Sequence, residues 1–289
     1  MNRERRPSLH RQLKGDRRLT TIFGLIMLVI CIIYFLPILF AASNSFKPLK
    51  DIMMYPLELP KSLYFGNYME VWERSHYITW VINSLLVTDI STVGTVVLSA
   101  MAGYRLSRMR SQRLGNAVSL FFYLSVMIPF QAIMICLVRI MAELHLTDSL
   151  IGLSLSNIGL GIPVAAFLYA GATRGVPKSL DESAEMDGAG MFNTFFRIVF
   201  PCLSSITGTV AIFTILGSWN DYLKPSILIS SQKKLTLPVG VYKLVQGQYG
   251  NKAHLNITTL MMAAIPMIVV FLFMQRYIIS GITRGAVKE

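Results

Sequence analysis

The sequence predicts an all-α, polytopic membrane protein with six transmembrane helices. Of its 289 residues, 53% are hydrophobic and only 15% are charged, whereas a soluble domain carries about 25% charged residues. Several apolar runs are long enough for a helix to cross the hydrocarbon, which takes about 20 residues. The runs are continuously apolar rather than alternating, which argues against a membrane barrel. Helices are expected because a backbone in lipid must satisfy its own hydrogen bonds.

The six predicted spans follow one another along the chain at 19–42, 78–103, 117–140, 150–172, 204–222 and 257–279. They define a transmembrane domain, 19–279, between a basic segment, 1–18, and a tail, 280–289. The first run exceeds the 7–15 residues of a signal-peptide core, so it is interpreted as a retained helix. Cleavage after Ala41-Ala42-Ser43 is the alternative. Prolines inside the spans predict bends in the helices, at Pro37, Pro129, Pro163 and Pro266.

The net charge of +12 is explained by topology. Basic residues gather before the first span, after the second, after the fourth and after the sixth, and 141–149 contains none. Cytoplasmic loops of membrane proteins carry this excess of lysine and arginine. The pattern therefore places both termini in the cytoplasm, and it argues against a nucleic-acid footprint.

Two segments are predicted on the outer side, 43–77 and 223–256. The first is rich in proline and aromatic residues, which favour the membrane interface. Both are natural docking surfaces for an external partner. They are equally compatible with packing caps on the outer ends of the helices.

Only one acid lies deep inside a predicted span. Asp89 lies deep in the second span, where a carboxylate is expensive and therefore a functional candidate. It is compatible with a proton relay, with a water-filled cavity, or with a neutral acid bonded to Thr88 or Thr92; a structural or cavity-lining role is favoured. The three cysteines have no metal-binding spacing and are expected to be core residues, at Cys31, Cys136 and Cys202.

Four further polar residues are candidates for a solute path: Asn83, Asn157, Asn220 and Asp221. Side chains of this kind can hydrogen-bond a hydroxyl-rich solute. They also hold membrane helices together, and this structural role is the commoner one.

The segment 173–203 is the most informative part of the chain. Ser179 and the acids that follow it suit the positive end of a short helix. Ala184 and Gly188 are four residues apart, so they share a helix face and are expected to form a smooth strip on which a partner seats. Glycine then ends the helix. The alternative is an ordinary amphipathic connector.

This segment closely resembles the cytoplasmic loop of ABC importer permeases. That loop reads Glu-Ala-Ala, three residues, Gly, nine residues, Ile, one residue, Leu-Pro. The matching positions are Glu182, Ala184, Gly188, Ile198 and Pro201, and the departures are Ser183 and Phe200. The resemblance implies that the helix inserts into a groove of a nucleotide-binding ATPase, with Glu182, Ala184, Asp187 and Gly188 as the coupling residues.

Other motifs are similar to the carbohydrate, or maltose-type, branch of these permeases. They include Trp219-Asn220-Asp221 and the Gly285-Ala286-Val287-Lys288 ending, which favours the second of the two permease subunits. The resemblance implies a multi-pass protein of the bacterial cytoplasmic membrane that forms half of a sugar path. The implied partners are a second permease in a heterodimer, a cytoplasmic ATPase dimer, an extracytoplasmic sugar-binding protein and membrane lipid, without nucleic acid.

The chain itself is not expected to be an enzyme or to hold a cofactor. It has no glycine-rich loop ending in Gly-Lys-Ser/Thr, so ATP and magnesium are expected in the partner ATPase. An ion-coupled secondary transporter for a small polar solute is the alternative, but several buried ionisable residues are then expected and only Asp89 qualifies. A membrane enzyme is a third possibility, which the scattered histidines do not favour.

Overall fold

The computed structural model describes residues 9–109, 111–248, 250 and 252–286. Every regular element in these ranges is helical, which confirms the predicted all-α class. The first eight residues and the last three, which belong to the predicted terminal segments, lie outside the described part. The chain divides into two compact units, whose described parts are treated separately: Met1–Glu73 with Tyr249–Met262, and Arg74–Gln248 with Ala263–Glu289.

The first unit is built on α1 (Leu9–Ser45), which runs without interruption through Pro37. Its stretch Leu19–Ser45 has a mean hydropathy of 3.0, and its apolar side chains are exposed on every face of the helix. A helix that is apolar all round suits lipid or a neighbouring membrane helix. Two short helices follow along the chain, α2 (Leu49–Met54) and α3 (Gly66–Arg74).

Beyond α1 the chain folds around a buried lysine. The Lys47 ammonium donates to the side-chain oxygen of Asn44 at 3.1 Å, to the Tyr55 carbonyl at 3.0 Å and to the Glu58 carbonyl. An ammonium has three donors, so these acceptors satisfy it. The Asn67 amide donates to the Lys47 carbonyl at 2.8 Å. Polar bonds therefore order part of the predicted outer segment.

The second unit centres on two long helices, α4 (Tyr77–Ser107) and α7 (Leu150–Arg174), which pack along their length. Small residues let membrane helices approach closely. A Cβ at Gly103 would lie 2.5 Å from the Tyr169 Cβ and 2.7 Å from the Ala170 nitrogen, so this crossing requires glycine. A stripe of buried small side chains continues along α4, at Ser84, Thr88, Ser91, Thr95 and Ser99.

The third predicted span, 117–140, is not one straight helix. It consists of α5 (Gln112–Ser125) and α6 (Phe130–Glu143), and the bent pair meets at 97°. Pro129 precedes α6 with extended backbone angles. Proline lacks the N–H that a continuous helix needs and its ring clashes with the preceding turn, which explains the break. The bend predicted at Pro129 is therefore confirmed, and it is sharp enough to divide the predicted span into two helices.

A second bend precedes the fifth span, where Met191–Cys202 and Ser204–Trp219 meet at 83°. Pro201 lies at the bend and cannot donate a backbone hydrogen bond. The helix of the predicted span 204–222 ends at Trp219. The elements in order are α8 (Ser179–Met186), α9 (Met191–Thr194), a π-helical turn (Phe195–Val199), α10 (Phe200–Cys202) and α11 (Ser204–Trp219).

The segment after α11 contains short helical elements, some of which pack on α4. Gly240 lies under an indole ring: a Cβ there would be 2.3 Å from Trp80 Cδ2. Such contact fixes this segment to the start of α4. The elements are α12 (Leu223–Leu228), a 3-10 turn (Gln232–Lys234), α13 (Leu237–Lys243), a π-helical turn (Leu244–Gln248) and the long α14 (Ala253–Ala286).

Four helices of the described chain are long and apolar enough to cross a membrane, in the stretches Leu19–Ser45, Tyr77–Ser107, Leu150–Arg174 and Ala253–Leu272. The count rises to six if each bent pair makes one crossing. The architecture is that of a multi-pass membrane protein.

Candidate functional site

The motif in the segment 173–203 forms the short helix α8. Its first turn holds Asp181 and Glu182, and carboxylates are favoured there because the helix N-terminus carries partial positive charge. The N-cap residue is Lys178 rather than Ser179, and it makes no side-chain capping bond. The start of α8 is therefore not capped by the Ser179 side chain, and its acids are stabilised there by the helix dipole.

Glycine ends α8 as the sequence predicts. Gly188 has a φ of +79°, a left-handed conformation that residues with a Cβ rarely adopt. The Gly188 nitrogen donates to the Glu185 carbonyl at 3.0 Å, and the Ala189 nitrogen donates to the Ala184 carbonyl at 2.9 Å. This pair of bonds is the Schellman arrangement. It makes α8 a short helix with a sharp end.

The outward face of α8 is formed by acidic and apolar side chains rather than by small residues. Ala184 is 3% exposed and packs inward, so it does not form the expected open strip with Gly188. Glu182, Glu185 and Met186 are exposed, and Met186 is 90% exposed. Met186 was missed by the sequence reasoning, although its spacing of four from Glu182 places both on one helix face. Asp187, at the end of the helix, is also exposed.

The inward face of α8 carries Asp181, which the motif match did not single out. Its carboxylate contacts Tyr104 and Arg108, both near the end of α4, at 2.7 Å each. Adjacent acids of α8 therefore point to different places: Asp181 into its own chain and Glu182 outward. The sequence contains one hint of this difference: neighbouring residues of a helix are rotated by about 100°, so Asp181 and Glu182 cannot share one face.

A mainly apolar cavity of about 480 Å³ lies between α7 and α11. Asn157 lies at its wall and donates to the hydroxyl oxygens of Ser91 at 3.3 Å and Ser218 at 3.2 Å. The carbonyl oxygen of its side chain is buried and accepts no hydrogen bond from the described residues. Apolar pockets with a few directed polar groups are typical small-molecule sites. Polar groups on the wall include Asn157, Thr214, Ser218 and Lys224.

Asn83 is placed differently from Asn157. Its amide donates to the carbonyls of Lys233 and Leu235, at 2.9 Å each. Both amide protons are therefore used to hold the segment after α12 against α4. This contact favours the structural alternative for Asn83.

The other two candidates lie at the end of α11. The Asn220 amide donates to the Leu216 carbonyl of its own helix at 2.9 Å and is exposed. Asp221 forms an ion pair with Lys224 at 2.8 Å, and Lys224 lies at the cavity wall. Asp221 thus borders the cavity through Lys224, whereas Asn157 contacts it directly.

Asp89 is exposed on the surface of α4. The hydroxyls of Thr88 and Thr92 make no hydrogen bond within the described chain, so the neutral acid bonded to either threonine is not seen. The cysteine expectation is also wrong: Cys31, Cys136 and Cys202 are all exposed. Each lies on a helix face that the fold leaves uncovered.

Asp148 fastens the loop between α6 and α7 to the segment after α12. It accepts hydrogen bonds from the Ser230 and Ser231 nitrogens at 3.0 and 2.8 Å and from the Ser231 hydroxyl, and Lys234 Nζ lies at 3.2 Å. These donors, the Ser231 hydroxyl first, hold the pKa of Asp148 well below its ordinary value of 3.8. The Asp148 carboxylate is therefore ionised, and both its oxygens accept hydrogen bonds.

Comparison with known proteins places these features in a family. The family of binding-protein-dependent transport system inner membrane components matches residues 95–284. The arabinooligosaccharides transport system permease protein AraQ of Bacillus subtilis is 35% identical, over 91% of this chain and 94% of that protein. The probable starch degradation products transport system permease protein AmyC of Thermoanaerobacterium thermosulfurigenes is 33% identical, over 96% and 100%.

A solved structure shares the fold. It is a bacterial ABC transporter involved in the import of the acidic polysaccharide alginate, and one of its chains aligns with a TM-score of 0.79. The alignment covers 91% of this chain and 97% of that chain at 20% identity. At this identity the likeness concerns the arrangement of helices alone.

Proposed function

Because this chain belongs to the family of binding-protein-dependent transport system inner membrane components, we propose that it is a permease subunit of an ATP-driven importer for a sugar or oligosaccharide. The observation that carries the sugar assignment is the identity of at least 33% to two transport permeases named for oligosaccharides and starch products, over almost the whole chain. The chain is a transport component rather than an enzyme. It is a multi-pass protein of the inner membrane.

The proposal includes six crossings, with each bent pair taken as one, and both termini in the cytoplasm. Basic residues before the first span and after the second, fourth and sixth support this orientation. One set of six helices makes half of a path, so a second permease completes it. An external sugar-binding protein delivers the solute; the family description, which names binding-protein-dependent transport, supports a binding-protein partner. The segments 43–77 and 223–256 are the proposed docking surface.

We assign α8 as the coupling helix that contacts a separate ATPase, in which ATP and magnesium are bound. The four motif residues have different roles in this assignment. Glu182 and Asp187 are exposed and face the ATPase, whereas Ala184 supports the helix from inside and Gly188 ends it. Glu185 and Met186 extend the contact surface. An exposed surface with carboxylates and a methionine suits a groove with apolar walls and basic residues at its rim.

For the solute path, Asn157 is the strongest of the four candidates because it lies at the cavity wall. Asp221 acts there through Lys224. Asn220 stays a candidate because its side chain is exposed, and Asn83 is kept as the weakest because both its amide protons are engaged.

Site-directed cross-linking tests the coupling helix. In a chain whose three exposed cysteines are replaced by serine, Met186→Cys carries a photoactivated cross-linker. Leu144→Cys is the matched control, since Leu144 is also exposed but lies in the α6–α7 loop, which the proposed topology puts on the other side of the membrane from α8. We expect a cross-link to the co-purifying ATPase from Met186→Cys and none from Leu144→Cys. An ATPase that co-purifies without a cross-link at Met186→Cys would contradict the assignment of α8.

Reconstitution in liposomes separates this function from an ion-coupled carrier. The carrier transports alone, driven by an ion gradient, whereas the importer subunit transports only with its second permease, its ATPase and its binding protein. Maltotriose, arabinotriose and raffinose are offered singly, with ATP inside. Uptake by the chain alone along an ion gradient would refute the importer assignment.

A further inference from the structure

Two residues of α4 share the carboxylate of Asp181. Its Oδ1 accepts a hydrogen bond from the Tyr104 hydroxyl at 2.7 Å, and its Oδ2 lies 2.7 Å from Arg108 Nη2. The same guanidinium nitrogen donates to the Val176 carbonyl oxygen at 3.0 Å. The end of α4 therefore holds the chain on both sides of Pro177, in the connector between α7 and α8.

The Arg108–Asp181 pair is shielded from water. The two side chains are 12% and 19% exposed. Surface ion pairs contribute little because water and salt screen them. Removing one partner of a buried pair is costly, because the other charge is left without compensation. These contacts therefore resist separation.

The residues that hold Asp181 are themselves fixed. The Tyr104 ring packs on the Phe195 ring, with centroids 5.3 Å apart, and both belong to a buried cluster. Phe195 lies after α8 in the chain, so α4 contacts the chain before, within and after this helix. The neighbouring Gly103 is pressed against α7. This end of α4 is a rigid support rather than a mobile one.

We propose that Tyr104 and Arg108 are positioning residues that latch α8 to the end of α4. A displacement applied to the outward face of α8 then reaches α4 directly, and not only through the connector of Gly175, Val176 and Pro177. The proposal rests on the proposed function, because it takes α8 as the helix that the ATPase moves. The two adjacent acids then have different roles: Glu182 contacts the ATPase that displaces α8, and Asp181 passes the displacement to α4.

The test uses the complete importer in liposomes and measures solute molecules imported per ATP hydrolysed. The probes are maltotriose, arabinotriose and raffinose, offered singly. Arg108→Gln and Asp181→Asn each remove a charged contact, and we expect the ratio to fall about tenfold. Tyr104→Phe removes one hydroxyl and keeps the ring packing, so a fall of about threefold is expected.

Two further variants distinguish the latch from a general loss of structure. The double exchange Arg108→Asp with Asp181→Arg restores opposite charges but not the hydrogen bonds to Val176 and Tyr104, so the ratio should recover in part, above that of either single variant. Arg105→Gln removes an exposed charge from the same turn of α4, and we expect the wild-type ratio. Co-purification of the ATPase is measured for every variant, so that altered coupling is separated from failed assembly.

The latch is overturned if Tyr104→Phe and Arg108→Gln assemble with the ATPase and keep the wild-type ratio. If the charge variants do not assemble, Tyr104→Phe decides: an unchanged ratio overturns the latch and a lowered ratio supports it. Failure of the proposed function gives a different result, a wild-type chain that does not co-purify with any ATPase. That result would overturn both proposals.

Discussion

The substitution Gly103→Ala tests how closely α4 and α7 must approach. The added Cβ would lie 2.5 Å from the Tyr169 Cβ, 2.7 Å from the Ala170 nitrogen and 2.8 Å from the Ala166 carbonyl oxygen. Contacts under 3.0 Å are not tolerated, and two of these three atoms are backbone. The helices must therefore separate. Overpacking of this kind costs about 1–3 kcal/mol, which lowers the ratio of folded to unfolded chain roughly 5–150-fold, since each 1.4 kcal/mol is a factor of about ten.

The free energy of unfolding is measured by SDS titration of the purified chain in mixed micelles. Gly171→Ala is the matched control, because a Cβ there meets nothing within 4 Å. It should leave the stability unchanged or raise it by about 0.5–1 kcal/mol, since alanine is the better helix former. Equal stabilities for Gly103→Ala and Gly171→Ala would refute the close packing inferred for this crossing.

Three further predictions concern the loop ends and the cavity. Asp148→Asn should lower the stability by about 1 kcal/mol at neutral pH. Because the pKa of Asp148 is depressed in the folded state, this advantage of the wild type shrinks as the pH falls below the ordinary pKa of 3.8. A difference in stability that stays constant down to pH 2 would argue against the stabilising role of the Asp148 carboxylate. Gly188→Ala should cost about 1–2 kcal/mol through its left-handed backbone and weaken ATPase co-purification, whereas Gly190→Ala, at a negative φ in open space, should not. Asn157→Ala should lower sugar uptake about tenfold, because it removes a polar group from the cavity wall and breaks the hydrogen bonds to Ser91 and Ser218. The cross-link from residue 186 should not change, and unchanged uptake would remove Asn157 from the path.

The sequence predicts the helical class and the place of every candidate span, because the length of an apolar run reflects the thickness of the membrane. The bends are harder to predict. Pro37 lies inside a continuous helix, whereas α6 begins directly after Pro129. Proline only removes a donor and adds a clash, and tertiary packing decides whether the helix bends or breaks.

The sequence predicts where the candidate coupling helix lies in the chain, but not which way its side chains point. The motif locates α8 and its glycine end, yet the direction of each side chain depends on what lies beneath the helix. Ala184 was expected outside and is buried, while Met186 was not among the predicted coupling residues and is 90% exposed. Asp181 finds its partners 77 and 73 residues earlier in the chain, a distance that local patterns do not span.

Asp89 restricts the surroundings that its part of α4 can have in a membrane. Its carboxylate stands on a helix flank beside Leu85, Leu86 and Val93, all of them uncovered. Hydrocarbon is a poor solvent for a charge, so this flank needs a protein neighbour or a water-lined channel. A chain in the bilayer with this flank uncovered should therefore be less stable than one in which a neighbour or water covers it.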